Sequence, residues 1–135
     1  MSLDDDNRSL LVEMQMEKSC SEMQTVELLV RENRPSAAIG RLYYAVFHAV
    51  SALLIHDGIR IKSHKGAYTQ FCLHYVNTGK VSQRYGKWYK DLEDMREESD
   101  YNCFYKVTVE DVQAWLPLAK EMIDTIAEMV KQQEG

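Results

Sequence analysis

The segment that most limits what this chain can fold into is an apolar stretch, AAIGRLYYAVFHAVSALL, at positions 37–54. Asn33-Arg34-Pro35 precedes it and Asp57-Gly58 follows it, a combination typical of a helix start and a helix stop. Small and large apolar side chains lie on nearly every side of the resulting helix. Such a helix needs other elements around it, so we predict that it is central and mostly buried.

The rest of the chain has helical apolar spacing and little of the alternation that strands require. Capping residues and breaks divide it into further helices, at about residues 5–32, 63–77, 82–100 and from 108 onward. Pro117 lies inside the last of these helices and should bend or divide it. The predicted fold class is all-α: an up-and-down antiparallel bundle of four to five helices, in a single domain over residues 1–135.

Composition narrows the class of protein further. Asp4, Asp5 and Asp6 give the start the wrong charge for a secretory signal, and the apolar runs are shorter than the roughly 20 residues of a membrane span. Three widely spaced cysteines, with no CxxC pair, argue against disulfides and a zinc site and suggest buried thiols. We expect a cytoplasmic protein with no membrane association, no metal and no cofactor.

The basic residues are unevenly distributed, although the net charge is −5. Residues 60–90 contain seven Lys or Arg and no Asp or Glu, while the remainder is strongly acidic. One interpretation is that this basic segment forms two helices whose charged side chains simply face water. The other is a face for phosphate groups or an acidic partner, in which case neutralising Lys62, Lys65, Arg84 and Lys87 should weaken RNA or nucleotide binding.

Arg41, Tyr44 and His48 are spaced i, i+3, i+7 and therefore share one side of the predicted central helix. Tyr43 lies on the neighbouring, core-facing side. A buried Arg41 would need a carboxylate partner to offset the cost of its charge. Two interpretations are open: a structural ion pair with an interior histidine, or a polar cleft that Arg41 and His48 border.

A second group of candidate residues lies at the end of the fourth predicted helix. Arg96 is the only base among six acids between Asp91 and Asp100, and its i, i+4 spacing from Asp100 allows an ion pair. In a functional interpretation, Arg96 would hold a phosphate, since its planar fork matches phosphate oxygens. Tyr101 would then supply a hydrogen bond or transfer a proton, although an ordinary Tyr pKa of ~10 makes it a poor base.

Lys62, His64 and Lys65 form the third group, at the predicted start of a helix that Ser63 caps. A helix N-terminus presents unpaired N–H groups and a positive dipole end, so an anion could bind there. The alternative interpretation is capping alone, since no complete Gly-rich phosphate loop accompanies these residues.

Four stretches in order, RLYYAVFHAVSALL, SHKG, FCLHYVNTGKVS and MREESDY, together resemble the HEPN domain family. More narrowly, they are similar to the small stand-alone prokaryotic branch of that family. The resemblance runs from about residue 36 to residue 127. It rests on the order and spacing of the stretches, because none of them is specific alone.

The resemblance implies a helical bundle that is commonly a homodimer. Many genes of this kind lie beside a minimal nucleotidyltransferase, and several such pairs behave as toxin–antitoxin systems. Catalytic members are metal-independent ribonucleases in which an Arg is followed, after four to six residues, by a His. The Arg would be Arg96 here, but the available positions hold Tyr101, Asn102 and Cys103. Since Tyr transfers protons poorly at neutral pH, this departure favours a binding or regulatory module.

We therefore expect a HEPN-type module that binds RNA, a nucleotide or a nucleotidyltransferase partner, within a toxin–antitoxin-like pair. A metal-independent endoribonuclease toxin is the first alternative; it would use Arg96, with His48 or His64 in place of the missing histidine. A helical dimer that binds only other proteins is the second.

Overall fold

The computed structural model describes residues 5–131, which form five α-helices and no strand. Asp4, part of the acidic start, lies outside these residues. The helices are α1 (Asp5–Arg31), α2 (Pro35–His56), α3 (His64–Phe71), α4 (Gln83–Tyr101) and α5 (Val109–Lys131). A single π-helical turn, Cys72–Val76, continues α3 directly. The predicted all-α bundle is thus confirmed, with five helices.

α2 is the centre of the bundle and packs against α1, α3, α4 and α5. Many of its apolar side chains, including Ile39, Leu42 and Leu53, are 0–1% exposed. Among the described residues, α2 is also the one helix long and apolar enough to cross a membrane by length and composition. However, 67% of that apolar window is buried inside the bundle, and this burial accounts for its composition.

A tight turn precedes α2 and another follows it. Asn33 adopts the left-handed conformation, with φ of 58°, and Pro35 then begins α2 in the first helical turn. At the other end, Gly58 has φ of 74°, a conformation that glycine adopts without steric cost. α1 therefore folds back along α2, and the two helices form the largest contact in the bundle.

The predicted caps are present. Ser63 Oγ accepts from Gly66 N, Ser82 Oγ accepts from Arg84 N, and Thr108 Oγ1 accepts from Asp111 N at 3.1 Å. Pro117, which was expected to bend or divide the last helix, does not divide it, because α5 is continuous from Val109 to Lys131. The surrounding helical residues and their packing against α2 hold the segment together despite the missing N–H.

The cysteines correct one expectation from the sequence. Cys20 and Cys103 are exposed and Cys72 is half-buried, so they are not the buried thiols that their composition suggested. Cys20 is exposed because it lies on the outer side of α1, where its neighbour Ser19 is the residue that faces the core. All three are free thiols.

Removing a large side chain from α2 should test how far the fold depends on this helix. Leu42→Ala leaves a cavity in a fully buried position, and we expect it to lower the free energy of unfolding by about 2–5 kcal/mol. Leu10→Ala, at a site 54% exposed, makes the same chemical change and should alter it by about 0.5 kcal/mol or less. Urea denaturation of both variants measures the difference; equal losses would contradict the central role of α2.

Candidate functional site

Arg41, Tyr44 and His48 lie along one side of α2, as their spacing predicts, and all three are half-buried. Arg41 Nη1 donates to Glu22 Oε2 of α1 at 2.8 Å. The Arg41 guanidinium carbon also lies 4.9 Å from the centre of the Tyr44 ring, within the range of a cation–π contact. The carboxylate that a partly buried Arg41 requires therefore comes from α1.

On α4, Glu93, Arg96 and Asp100 follow the same i, i+3, i+7 spacing and share one side of the helix. Arg96 Nη1 donates to Asp100 Oδ2 at 3.0 Å, so the predicted ion pair is present. The Arg96 side chain is only 16% exposed, and its guanidinium carbon lies 4.7 Å from the centre of the Tyr43 ring. Arg96 Nε is buried and has no hydrogen-bond partner within residues 5–131. Contacts on two sides therefore hold this guanidinium in one place.

Between these two helix sides lies an open cleft of about 460 Å³. Four of the predicted site residues line it: Arg41, Tyr44, Arg96 and Asp100. The remaining lining comes from the end of α1 and the first turns of α2, namely Leu29, Ser36, Ala37 and Gly40. Because three of these four side chains are small or absent, the start of α2 leaves space beside the two arginines.

His64, the first residue of α3, approaches the same region from the side. Its Nδ1 lies 3.2 Å from Tyr43 Oη, and its ring stacks on Phe47 with 4.3 Å between ring centres. The cap on Ser63 determines where α3 begins and so where His64 stands. His64 also contacts the edge of Tyr44, with ring centres 5.6 Å apart, and so adjoins the cleft through a residue that lines it.

Two histidines near the cleft have a lowered pKa. Burial lowers the pKa of His48, and the nearby Lys18 charge lowers it further. Burial also lowers the pKa of His64, with a further contribution from the Arg96 charge. His48 Nδ1 lies 2.8 Å from Oε1 of Gln15, so a hydrogen bond connects His48 to α1. Both imidazoles are therefore mainly neutral at pH 7.

The other predicted site residues lie outside the cleft lining. Tyr101 is 82% exposed at the end of α4, and Lys62 and Lys65 are exposed at the start of α3. The acid-free segment 60–90 is also less basic in space than in sequence, because three of its bases pair with carboxylates. These pairs are Arg84 with Glu121, Lys87 with Asp91, and Lys90 with Asp94.

Two residues that contribute to the site were not predicted as site residues. Tyr43 was assigned to the core, where it does lie, but its hydroxyl meets polar groups from two other helices. Glu93 is 3% exposed, and its Oε2 accepts from Tyr43 Oη at 3.5 Å. Its position three residues before Arg96, on the same helix side, is the signal that could have identified it.

Within the described ranges, no three His, Cys, Asp or Glu side chains are grouped closely enough to hold a metal ion. The arrangement is instead a helical bundle whose polar cleft is formed by arginine, tyrosine and carboxylate side chains. Comparison with known sequences identifies the class: the HEPN domain model matches residues 12–130, and the chain belongs to the HEPN domain family.

Three relatives illustrate the range of this similarity. The chain is 32% identical over 109 residues to a "UPF0332 protein" of Thermotoga maritima, covering 81% of this chain and 83% of the relative. It is 32% identical over 95 residues to "Putative toxin MJ0605" of Methanocaldococcus jannaschii, covering 70% of each chain. A second protein of that organism, "Putative toxin MJ0142", is 24% identical over 102 residues, which is 76% of this chain and 69% of the relative.

The lowered pKa values of His48 and His64 predict how acid affects stability. Their ordinary pKa is ~6.5, so below that pH the unfolded chain binds more protons than the folded protein. Their contribution to the free energy of unfolding should therefore be complete above pH ~7 and fall as the pH decreases through the folded-state values. Comparing the wild type with His48→Gln by denaturation at several pH values isolates the His48 part. NMR titration midpoints at or above ~6.5 would contradict this prediction.

Proposed function

We propose that this protein is the HEPN component of a toxin–antitoxin-like pair, and that its cleft between α2 and α4 binds a phosphate group of RNA or of a nucleotide. The observation that carries the proposal is that Arg41 and Arg96, from two helices, line the same cleft although the chain has a net charge of −5. Two positive groups aimed at one opening in an acidic protein favour an anionic ligand there.

The contacts of the two arginines leave donors for a ligand. An arginine has five N–H donors, and in the part of the chain that the structure describes Arg41 and Arg96 each make one ion pair, through Nη1. These ion pairs, and the tyrosine ring beside each guanidinium, hold the forks in position before a ligand binds. The cleft volume falls within the range of small-molecule pockets, roughly 300–1,000 Å³.

The start of α3 extends the proposed binding surface. His64 adjoins Tyr44, and its sequence neighbours Lys62 and Lys65 are exposed, with no ion-pair partner among residues 5–131. A ligand longer than one nucleotide could therefore continue from the cleft toward these two lysines. Single-stranded RNA fits this arrangement better than a duplex, because the cleft has the volume of a small-molecule pocket and is lined by Tyr44, whose ring can stack on a base.

The two relatives named as putative toxins support the part of the proposal that concerns a toxin–antitoxin-like pair. We expect the protein to act in the cytoplasm, as a homodimer, with a minimal nucleotidyltransferase as its partner. Sedimentation equilibrium tests the dimer directly: the mass should be twice the 15.7 kDa of the chain. A mass equal to one chain across micromolar concentrations would contradict it.

RNA binding in EDTA is the direct test of the cleft. Arg96→Ala should weaken binding of a labelled single-stranded RNA at least tenfold, because a lost charge-assisted hydrogen bond costs about 1.5–3 kcal/mol. Fluorescence anisotropy at several salt concentrations measures both the affinity and its salt dependence.

Arg84→Ala is the matched control for this measurement. Arg84 is on the same helix and the substitution removes the same charge, but Arg84 is 60% exposed and pairs with Glu121 away from the cleft. We expect it to change the affinity less than threefold. Equal losses in the two variants would indicate that general surface charge binds the RNA, and that the cleft does not.

A second candidate function is metal-independent endoribonuclease activity at the same cleft. It is favoured by the fixed position of Arg96, which Asp100 and the Tyr43 ring hold where charge on a phosphate could be stabilised. The other candidate catalytic residues are placed as follows. Asp100 forms an ion pair with Arg96, Tyr101 is 82% exposed, and His48 is hydrogen-bonded to Gln15. This function requires a proton carrier close to Arg96, a position that the exposed Tyr101, outside the cleft lining, does not occupy.

A further inference from the structure

Three side chains from three helices form a continuous hydrogen-bonded chain next to Tyr44 and Arg96, which line the cleft. Glu93 of α4 and Tyr43 of α2 are 3% and 0% exposed, and Tyr43 Oη donates to Glu93 Oε2 at 3.5 Å. On its other side, Tyr43 Oη lies 3.2 Å from Nδ1 of His64, at the start of α3. Each link joins residues far apart in sequence, so the chain of contacts exists only in the folded protein.

The direction of these hydrogen bonds determines the tautomer of His64. Tyr43 has one hydroxyl proton, and a carboxylate is the stronger acceptor for it than a neutral imidazole nitrogen. With that proton directed to Glu93, Tyr43 Oη accepts from His64, and Nδ1 carries the histidine proton. The second nitrogen, Nε2, then holds an unshared electron pair and can accept a proton.

Arg96 adjoins the same tyrosine. Its guanidinium carbon is 4.7 Å from the centre of the Tyr43 ring, so Tyr43 touches both His64 and Arg96. The stacking of Phe47 on the His64 imidazole, at 4.3 Å, limits rotation of that ring. A proton acceptor and a phosphate-binding cation therefore both contact one buried side chain, and they are close enough for the Arg96 charge to act on His64.

We infer that His64 is the proton-accepting catalytic residue for RNA bound at Arg96, and that Tyr43 and Glu93 are the positioning residues that orient it. This inference rests on the proposed binding of RNA at the cleft. It assigns the missing proton carrier to α3 and, of the two histidines that the sequence offered in this role, selects His64 over His48, which is bonded to Gln15.

The reaction at this pair of residues is an internal transesterification of RNA. His64 Nε2 accepts the proton of a ribose 2′-hydroxyl, and the 2′-oxygen forms a bond to the adjacent phosphorus. The bond from phosphorus to the 5′-oxygen breaks, and that oxygen takes a proton from water. The products are a 2′,3′-cyclic phosphate and a 5′-hydroxyl end, and His64 returns its proton to solvent. Arg96 stabilises the negative charge on the phosphate oxygens.

The surroundings of His64 keep it in the proton-accepting form. Burial and the Arg96 charge lower its pKa, against an opposing contribution from Glu93. The titratable and charged groups around it are Tyr43, Tyr44 and His48 on α2, Glu93 and Arg96 on α4, and Lys62 and Lys65 beside it in sequence. The cleavage rate should therefore rise with pH, reach half its maximum below ~6.5 and stay constant from pH 7 to 8.

Cleavage of a labelled single-stranded RNA in EDTA, followed over time, tests the assignment. His64→Ala should reduce the cleavage rate at saturating RNA at least about 100-fold, since general-base catalysis contributes ~10²–10⁴-fold. His74→Ala is the matched control, because His74 lies on the π-helical turn and bonds to Gln70 of α3, outside the cleft lining, and this variant should cleave like the wild type. Equal cleavage by His64→Ala and the wild type overturns the inference.

A second measurement does not depend on activity. ¹⁵N NMR of the histidine rings should show the proton of neutral His64 on Nδ1, and Tyr43→Phe, which removes only the hydroxyl, should shift it toward Nε2. A proton on Nε2 in the wild type overturns the positioning role of Tyr43 and Glu93. If the wild type binds RNA but leaves it intact in EDTA, this inference fails and the binding function stands. If it does not bind RNA, the proposed function itself fails.

Discussion

The burial of the apolar side chains of α2 among four other helices is the constraint on which the rest of the structure depends. Its apolar side chains leave water only if four other helices surround it, and this requirement brings α3 and α4 beside the same helix. The polar groups of α2 are then left at the seams between helices. Arg41 and Tyr44 face one such seam, which is the cleft, and the Tyr43 hydroxyl reaches across another.

Charges at these seams are tolerated because each has a partner at close range. Arg41 has Glu22, Arg96 has Asp100 and the Tyr43 ring, and Glu93 accepts from Tyr43. Partly burying an arginine or a glutamate without such contacts would cost several kcal/mol. The same contacts that offset this cost also restrict the side chains to one arrangement, so the groups that make the fold possible are also those positioned for a ligand.

Much of the fold and half of the candidate site could be predicted from local spacing. The i, i+4 pair of Arg96 with Asp100 and the shared side of Arg41 with Tyr44 depend only on helical geometry, and both are present. The contacts of Tyr43 with His64 and with Glu93 span 21 and 50 residues, and no local rule relates such positions. For the same reason the basic segment 60–90 looked more available than it is, since Arg84 finds Glu121 on another helix.

The sequence by itself determined an all-α fold of four to five helices, the caps at Ser63, Ser82 and Thr108, the burial of α2 and the family to which the chain belongs. These properties follow from periodicity, capping chemistry and the order of short motifs, all of which act over a few residues or can be read along the chain. Only the tertiary structure decided that Arg41 and Arg96 line one cleft and that His64 meets Tyr43 beside it. Distances between helices depend on how their side chains interlock, and packing is a property of the whole bundle.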